Sequence, residues 1–564
     1  MSEDTTPRRR YWKRAVIAEA MSQLEAGQPV VSQRQVAEEL GLPRSTLQHW
    51  LERRDTLEAD PAMVAFFESP TGAAFLHRLV VVAHLVFTLV GPGGIRLVCL
   101  FLELTGLHVF VAASYGPQHE VAVAIEKAVG EFAQAERPRL AQGMTPKSIT
   151  VCQDETFHPE TCLVAIEPVS NYILLEKYAD NRKAETWTQS MAEATQGLPV
   201  ELVQSTSDEG RGIRHHVEED LGAQHSPDVF HVQHDVVQGS SLVLAHRKRQ
   251  AEQAVAEATQ QVSRLKEAAS THVQPADPAD DAAARVEPFV AAQAQEQKAQ
   301  AVLETIAGQQ QRVQAAVAGI SAAYHPYDLE TGAARSAEQL ADTLAQHWSV
   351  IEAVATEAGL PERCVKKIQK AKRVVVEMVA TLAFFWLTIR AKVEALALAP
   401  AVEQAVYRHL IPAIYLHLVS EKTSDPQQRQ SLQTKSDELL APLVRPDGPL
   451  AGLEPAEVRV LETVALDCAQ VFQRSSSCVE GRNGQLALRH HSLHRLTDRK
   501  LAALTTVHNY FIRRSDGTTA AERFFGAKPK DLLAWILERV DLPGWSAQKR
   551  SQPQPKAYLL LVAT

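Results

Sequence analysis

The chain has 564 residues, 45% of them apolar and 22% charged, and a formal net charge of −9. That length is too great for one compact core, and the composition is that of ordinary globular protein rather than of a disordered or fibrous chain, so about three or four domains are expected. The negative total excludes a uniformly basic nucleic-acid coat, and charge has to be read locally.

The N-terminus, Met-Ser-Glu-Asp-Thr-Thr-Pro followed by Arg8-Arg9-Arg10, does not read as a signal peptide. Residues 1–60 contain a compact motif, Val31 to Leu51. Ser32 is placed to cap a helix with Gln35 at the capping-box position, and Val36, Ala37 and Leu40 form its apolar face. Gly41 supplies a left-handed stop, Leu42 fills the turn, and a second helix runs from about Pro43 with Leu47, Trp50 and Leu51 inward. This is helix-turn-helix patterning. The second helix would expose Arg44, Ser45, Gln48 and His49, residue types suited to phosphates or base edges in a major groove. The plainer reading is a helical hairpin of no special purpose.

Residues 61–145 read as a helical subdomain. Within it, 95–104 followed by 109–114 forms a weaker second helix-turn-helix candidate and thus a second DNA-binding unit, with simple packing as the rival. The apolar run Leu79–Val90 stops at Gly-Pro-Gly-Gly and carries His84. It is short for a membrane span, which needs about 20 residues, so a core helix is expected.

Residues 146–240 change character. Short runs rich in Val, Ile and Leu predict strands ending on Asp154, at 162–167, at 172–176, at 199–207 ending on Asp208, and at 228–232. Helix-prone pieces, 182–193 and the stretch after Asp208, separate the last three. Three strands, a helix, a strand, a helix and a strand predict an α/β sheet, whose ligands gather at the carboxyl ends of strands. Asp154 and Asp208 both fall there.

Residues 241–470 are rich in Ala, Gln, Glu, Lys and Arg and read as an all-helical block. It opens with a long hairpin, 242–269 and 290–315, around a linker at 274–281. Phe384, Phe385 and Trp386 read as core, and Asp425-Pro426 as the start of a loop to about Gln430. Residues 471–545 return to chemistry, and 546–564 form a tail. Between 474 and 530, eleven Lys/Arg stand against four Asp/Glu, a local balance of +7, which is the footprint expected of a phosphate-binding face. Glu480 sits in its Ser-rich helix start. Six Cys without a Cys-x-x-Cys pair predict buried free thiols in a reducing compartment.

Asp154, Asp208 and Glu480 are the acids to group. Three carboxylates can hold two divalent ions about 4 Å apart, and hard oxygen ligands select Mg²⁺ or Mn²⁺. Such a centre beside a basic face suits phosphoryl transfer on DNA. Glu155 should turn to the other side of its strand. Asp228, read as a strand start, and Asp235, read as a helix cap, are the rivals.

The strand order, with Asp after the first and fourth strands, resembles the ribonuclease H-like catalytic domain of DDE-type insertion-sequence transposases. Asp228-Val-Phe-His-Val resembles their fifth-strand "D-x-F-H-V", and Ser476-Ser-Cys-Val-Glu480-Gly-Arg-Asn483 resembles their "S-S-x-x-E-G-x-N" helix. The 272 residues between Asp208 and Glu480 match the place where several such enzymes carry a helical insertion. The resemblance covers about 148–238, 471–545 and the N-terminal unit.

It implies an α/β ribonuclease H-like core split by an all-helical insertion, with an N-terminal helix-turn-helix region. It implies a catalytic, metal-binding triad of Asp154, Asp208 and Glu480 with two Mg²⁺ or Mn²⁺ ions. DNA contacts are expected from Arg44, Ser45, Gln48, His49, Arg482, Asn483, Arg513 and Arg514, with Arg482 and Asn483 facing the scissile phosphate. Expected partners are element terminal inverted repeats, target DNA and further copies of the chain, with no membrane, in a bacterial cytoplasm at the nucleoid. The rival readings are a DNA-binding regulator or domesticated remnant with a dead site, and a helical scaffold whose acids are incidental.

Overall fold

The computed structural model describes residues 14–25, 32–54, 56–157, 160–208, 210–271, 280–493 and 496–544. The basic arm at 8–13, the linker at 274–279 and the tail at 546–564 lie outside them.

The molecule is mostly helical around one five-stranded sheet: β1 (Lys147–Phe157), β2 (Thr161–Glu167), β3 (Tyr172–Ala179), β4 (Val200–Ser207) and β5 (Gln224–Pro227). Their order is β3-β2-β1-β4-β5. β2 runs antiparallel to β1 and β3, whereas β4 runs parallel to β1 and to β5. Side chains alternate across a strand, and β2 shows it. Cys162, Val164 and Ile166 join one core, while Leu163 and Ala165 join another on the opposite face. The second face is covered by the helix Ala184–Thr195, with Trp187 and Met191 inward, and by Ile213 and Val217 beyond β4. The first face packs against the Ser477–Leu493 and Asp498–Tyr510 helices, in a core that also takes in residues 67–144.

The fifth strand differs from expectation. β5 is Gln224–Pro227, and Val229–Val236 is a helix capped by Asp228, which accepts from the Phe230 N–H at 2.7 Å. Pro227 has no N–H to continue a ladder. Buried Val229, Val232 and Val236 have helical spacing, so the short apolar run follows the period of a helix and not of a strand. The exposed edge of β5 is closed by the helix Val375–Glu394, where Thr381 Oγ1 donates to Ser226 Oγ at 3.2 Å.

The N-terminal motif forms as its residues dictate. Ser32 and Gln35 make the reciprocal capping box, Gly41 sits at φ 65°, and Val36, Ala37, Leu42 and Leu47 are buried with Ala20 and Met21 of the preceding helix. The second helix-turn-helix candidate does not form. The helix Ile95–Leu104 ends at Gly106, one 3₁₀ turn follows, and Phe110 to Ala113 are buried core. The apolar run near Leu79 belongs to a longer helical stretch, Pro70–Val90, which has a mean hydropathy of 2.0 over its best window and is half buried there. Glu362–Glu394 is a second stretch apolar and long enough to cross a membrane by composition. His84 in the first is buried and bonded to Gln118 Oε1 at 2.8 Å, which fixes that stretch as a core helix here.

Between β5 and the returning Ser477–Leu493 helix lies a helical block with its own core, from Val229 to Phe472. The hairpin forms from Leu242–Thr271 and Asp280–Ala323. Phe385 is fully buried there. Asp425 and Pro426 begin a helix, Pro426–Leu440, rather than a loop. Asp425 caps it by accepting from the Gln428 N–H at 2.8 Å, and Pro at the first helical position loses no hydrogen bond.

Candidate active site: an acid cluster at the strand ends

The cluster follows from register. Cys152 pairs with Thr206, and Thr206 pairs with Ser226. Asp154, Asp208 and Asp228 each lie two residues beyond that rung, Asp154 within β1 and the other two just past the ends of β4 and β5, neighbouring parallel strands about 4.8 Å apart. The three acids therefore gather at one end of the sheet, close enough for the charge of Asp208 to act on Asp154. Asp154 lies within β1, because β1 continues to Phe157 on β2 after its pairing with β4 has stopped. Glu155 points the other way, as alternation requires, and accepts from Trp187 Nε1 at 3.1 Å and Arg182 Nη1 at 3.2 Å.

The fourth acid arrives from far along the chain. Asp228 ties the return segment down: its Oδ2 accepts from the Ser476 N–H at 3.2 Å and from the Ser476 hydroxyl. The Val229 N–H also donates to the Arg474 carbonyl at 3.0 Å. These bonds start the Ser477–Leu493 helix beside β1 and place Glu480 one turn in. Asn483, one turn further, donates from Nδ2 to Asp154 Oδ2 at 2.8 Å.

The sequence reading overlooked His231. It sits on the helix that Asp228 caps, with Nδ1 3.2 Å from Asp228 Oδ2 and Nε2 3.8 Å from Glu480 Oε1. The legible signal was the spacing of Asp228 and His231, i and i+3 at a helix start. The bond to Asp228 raises the imidazole to about 9 against the opposing effect of burial, with the charges of Asp154 and Asp208 adding to it. His231 is therefore a cation at neutral pH among carboxylates. For Asp228, burial works to raise the carboxyl, but the bonds from His231, Ser476 and the Phe230 N–H outweigh it and hold it low. Asp228 is thus a buried structural anion, and Asp235 lies within the helix rather than capping one, paired with Lys370 Nζ at 3.0 Å.

Asp154 is pushed up to about 7, first by burial and then by the charges of Glu480 and Asp208. Asn483 Oδ1, beside it, is buried without a hydrogen-bond partner. Oxygen acceptors in excess of donors, with carboxylates repelling one another, suit a hard divalent cation. Asp154, Asp208 and Glu480 would hold it. Among the described residues, no three His, Cys, Asp or Glu side chains already stand in a closed ligating arrangement. The acids are gathered, and side-chain rotation would have to bring their oxygens together to hold an ion. Gly210 keeps Asp208 in place: its N–H donates to Asp208 Oδ1 at 3.0 Å, and a Cβ there would meet that oxygen at 2.8 Å.

The basic return segment is organised differently from its sequence reading. Arg482 is buried, and its Nε and Nη2 make a two-pronged ion pair with Glu176, each contact 2.6 Å, so it does not face an open site. Arg489 bonds the carbonyls of Thr88, Leu89, Val90 and Gly91 at the end of the Pro70–Val90 stretch. Arg474 holds the Ser321 carbonyl at 2.5 Å, and Arg499 and Lys500 pair with Glu126. Arg513 and Arg514 are exposed, as are Arg44, Ser45, Gln48 and His49 on the helix Arg44–Arg54. Arg482 and Arg489 are thus spent inside the fold, whereas Arg499, Arg513, Arg514, Lys528 and Lys530 are exposed.

The sequence profile of a family of unknown function, DUF6399, matches residues 406–552. That span begins in the helical block, runs through Glu480 and Asn483, and includes neither Asp154 nor Asp208. No curated protein matches the chain.

Proposed function

We propose that this protein is a DNA transposase with a ribonuclease H-like core, which cuts and joins phosphodiesters at Asp154, Asp208 and Glu480. The observation that carries the reading is the convergence of these three acids from two parallel strands and a helix 272 residues later in sequence. The sheet order, with β2 alone reversed, and the helical block between the second and third acids support it.

Divalent Mg²⁺ or Mn²⁺ ions, two per site in this reading, would supply activation of the attacking hydroxyl and stabilisation of the leaving oxygen. The chain's own residues prepare for them. Asp154 and Asp208 present oxygens from neighbouring strands, Asn483 orients the Asp154 carboxylate, and His231 offsets the negative charge until a cation arrives. The helix-turn-helix, through Arg44, Ser45, Gln48 and His49, would recognise the terminal inverted repeats, while Arg513 and Arg514 offer further phosphate contacts. A bacterial cytoplasmic setting and assembly of several copies on two DNA ends belong to the same proposal.

The His231–Glu480 contact favours a second reading, a DNA-binding regulator or domesticated remnant whose acids are neutralised by histidine. The test is cleavage of a labelled duplex carrying the repeats that flank the gene, with Mg²⁺ or Mn²⁺. Wild type should cut, and Asp154→Ala, Asp208→Ala and Glu480→Ala should bind but not cut. Binding without cutting by wild type would establish the second reading instead.

A further inference from the structure

The cavity between β4, β5 and the helical block encloses about 180 Å³ and is lined by Asp208, Asp228, His231 and Asp235 on one side. On the other side it is lined by Lys370, Ala371 and Val374. Lys370 belongs to the helix Glu362–Arg373, which carries six basic residues (Arg363, Lys366, Lys367, Lys370, Lys372, Arg373) against one acid, Glu362. Its local balance is therefore +5 in a chain of −9. Cys364, Ile368 and Ala371 form the buried face, and all six basic residues are exposed.

The seat of this helix is tight. Gly239, just after the His231 helix, faces it, and a Cβ there would meet the Cys364 carbonyl and Ile368 Cγ1, each at 3.0 Å. Two of its lysines are held by that same neighbour: Lys370 Nζ by Asp235 at 3.0 Å and Lys367 Nζ by Gln238 Oε1 at 2.5 Å. Lys366 and Lys372 make exposed pairs with Glu362 and Glu352, of the kind that water and salt readily displace.

Arg363, Lys366, Lys370 and Arg373 are spaced three, four and three residues apart, so they share one stripe of the helix. The stripe spans roughly 15 Å at the α-helical rise, enough to follow several phosphates of one DNA strand. Its third member, Lys370, lines the same cavity as Asp208.

We infer that the outward face of the Glu362–Arg373 helix is a non-sequence-specific binding track for the DNA phosphodiester backbone, which delivers the strand to the acid cluster. This rests on the DNA-processing reading above and assigns to the helical block a row of phosphate contacts beyond those of Arg513 and Arg514. A duplex backbone fits better than a small anion, because the charges are strung along a helix face rather than gathered around a closed pocket.

The test is fluorescence anisotropy with a labelled 30-bp duplex of random sequence, titrated between about 50 and 200 mM KCl. The variant Arg363→Gln/Lys366→Gln/Lys370→Gln/Arg373→Gln changes only exposed side chains. It should bind at least about tenfold more weakly at 100 mM salt, and the slope of log K against log salt should flatten by about 0.9 for each phosphate no longer neutralised. A charge-matched control on the hairpin, Arg249→Gln/Arg264→Gln/Lys266→Gln/Lys298→Gln, should weaken binding less than about twofold.

An unchanged affinity and slope in the first variant, or equal weakening in both, overturns the track. A wild type that binds no duplex overturns the track and the DNA reading together; one that binds while only the control set matters overturns the track alone. Should the first variant fail to fold, acetylation of the wild-type protein with and without duplex decides the same question. Lys366 and Lys370 should be protected at least about threefold by bound DNA, and equal labelling rejects the proposal.

Discussion

Two stretches of this chain are basic, 474–530 and 362–373, and the first turns part of its charge inward while the second turns all of it outward. In the first, Arg482 and Arg489 are buried, on Glu176 and on the carbonyls of residues 88–91, and the half-buried Arg474 holds the Ser321 carbonyl, so that they fasten the returning helices to the sheet, to residues 88–91 and to the helical hairpin. In the second, three small or apolar side chains are buried and six cations face water. The difference teaches that net charge in a window says little about where the charge points. An arginine beside orphan carbonyls at a helix end or a buried glutamate becomes part of the core, whereas lysines opposite a narrow apolar stripe remain at the surface.

The largest effect that would break this contrast is on stability. Arg482→Leu leaves Glu176 buried and uncompensated and should cost about 3–5 kcal/mol, read from denaturant midpoints. Arg363→Gln should change stability by less than about 0.5 kcal/mol. Equal, small losses at both would mean that Arg482 is not buried as described. Replacing Arg482 and Glu176 together by Met and Leu should recover much of the loss.

The second effect is a pH-dependent gain. The folded pKa of Asp154, about 7, lies above its unfolded value. The native state therefore holds a proton that the unfolded chain has released, and stability falls as pH rises from about 4 through 7. Asp154→Asn removes that cost. Without divalent metal it should be more stable than wild type by roughly 1–3 kcal/mol at pH 8, with the gap closing toward pH 4. Thermal unfolding at the two pH values checks this, and a variant less stable at pH 8 would remove the charge-repulsion account of the cluster.

A smaller effect separates positioning from folding. In Gly210→Ala the new Cβ meets the Asp208 carboxylate, so cleavage should fall about tenfold while the unfolding midpoint moves by less than about 1 kcal/mol. Loss of both in proportion would make Gly210 a folding residue. An effect of similar size concerns the helix-turn-helix. Arg44→Gln should weaken binding to end sequences by about 1–3 kcal/mol, and equal weakening on random duplex would mark it as a phosphate contact.

Much of the sheet was legible because four of its strands are short apolar runs bounded by turn residues; Asp208 directly follows β4 as expected, whereas β1 runs on past Asp154 to Phe157. The capping box of Ser32 and Gln35 and the stop at Gly41 were equally readable, since each is local chemistry. The failures share a cause. Val229 to Val232 is too short for its apolar period to decide between strand and helix, and only the cap at Asp228 settles it. Asp425-Pro426 starts a helix by the same chemistry that starts a turn. The inward turn of Arg482 depends on Glu176, which lies 306 residues earlier in sequence, and nothing local announces such a pair. The basic helix at 362–373 was legible in principle from Cys364, Ile368 and Ala371, but it was passed over within a long helical stretch.

The most direct measurement is Mn²⁺ binding at pH 8, followed by the decrease of free-ion signal in electron paramagnetic resonance, for wild type, Asp154→Asn, Glu480→Gln and Asp235→Asn. The account predicts binding by wild type and Asp235→Asn that is weakened at least about tenfold in the other two. Absent binding in wild type, or binding indifferent to Asp154 and Glu480, would contradict the claim that these acids form a divalent-cation centre.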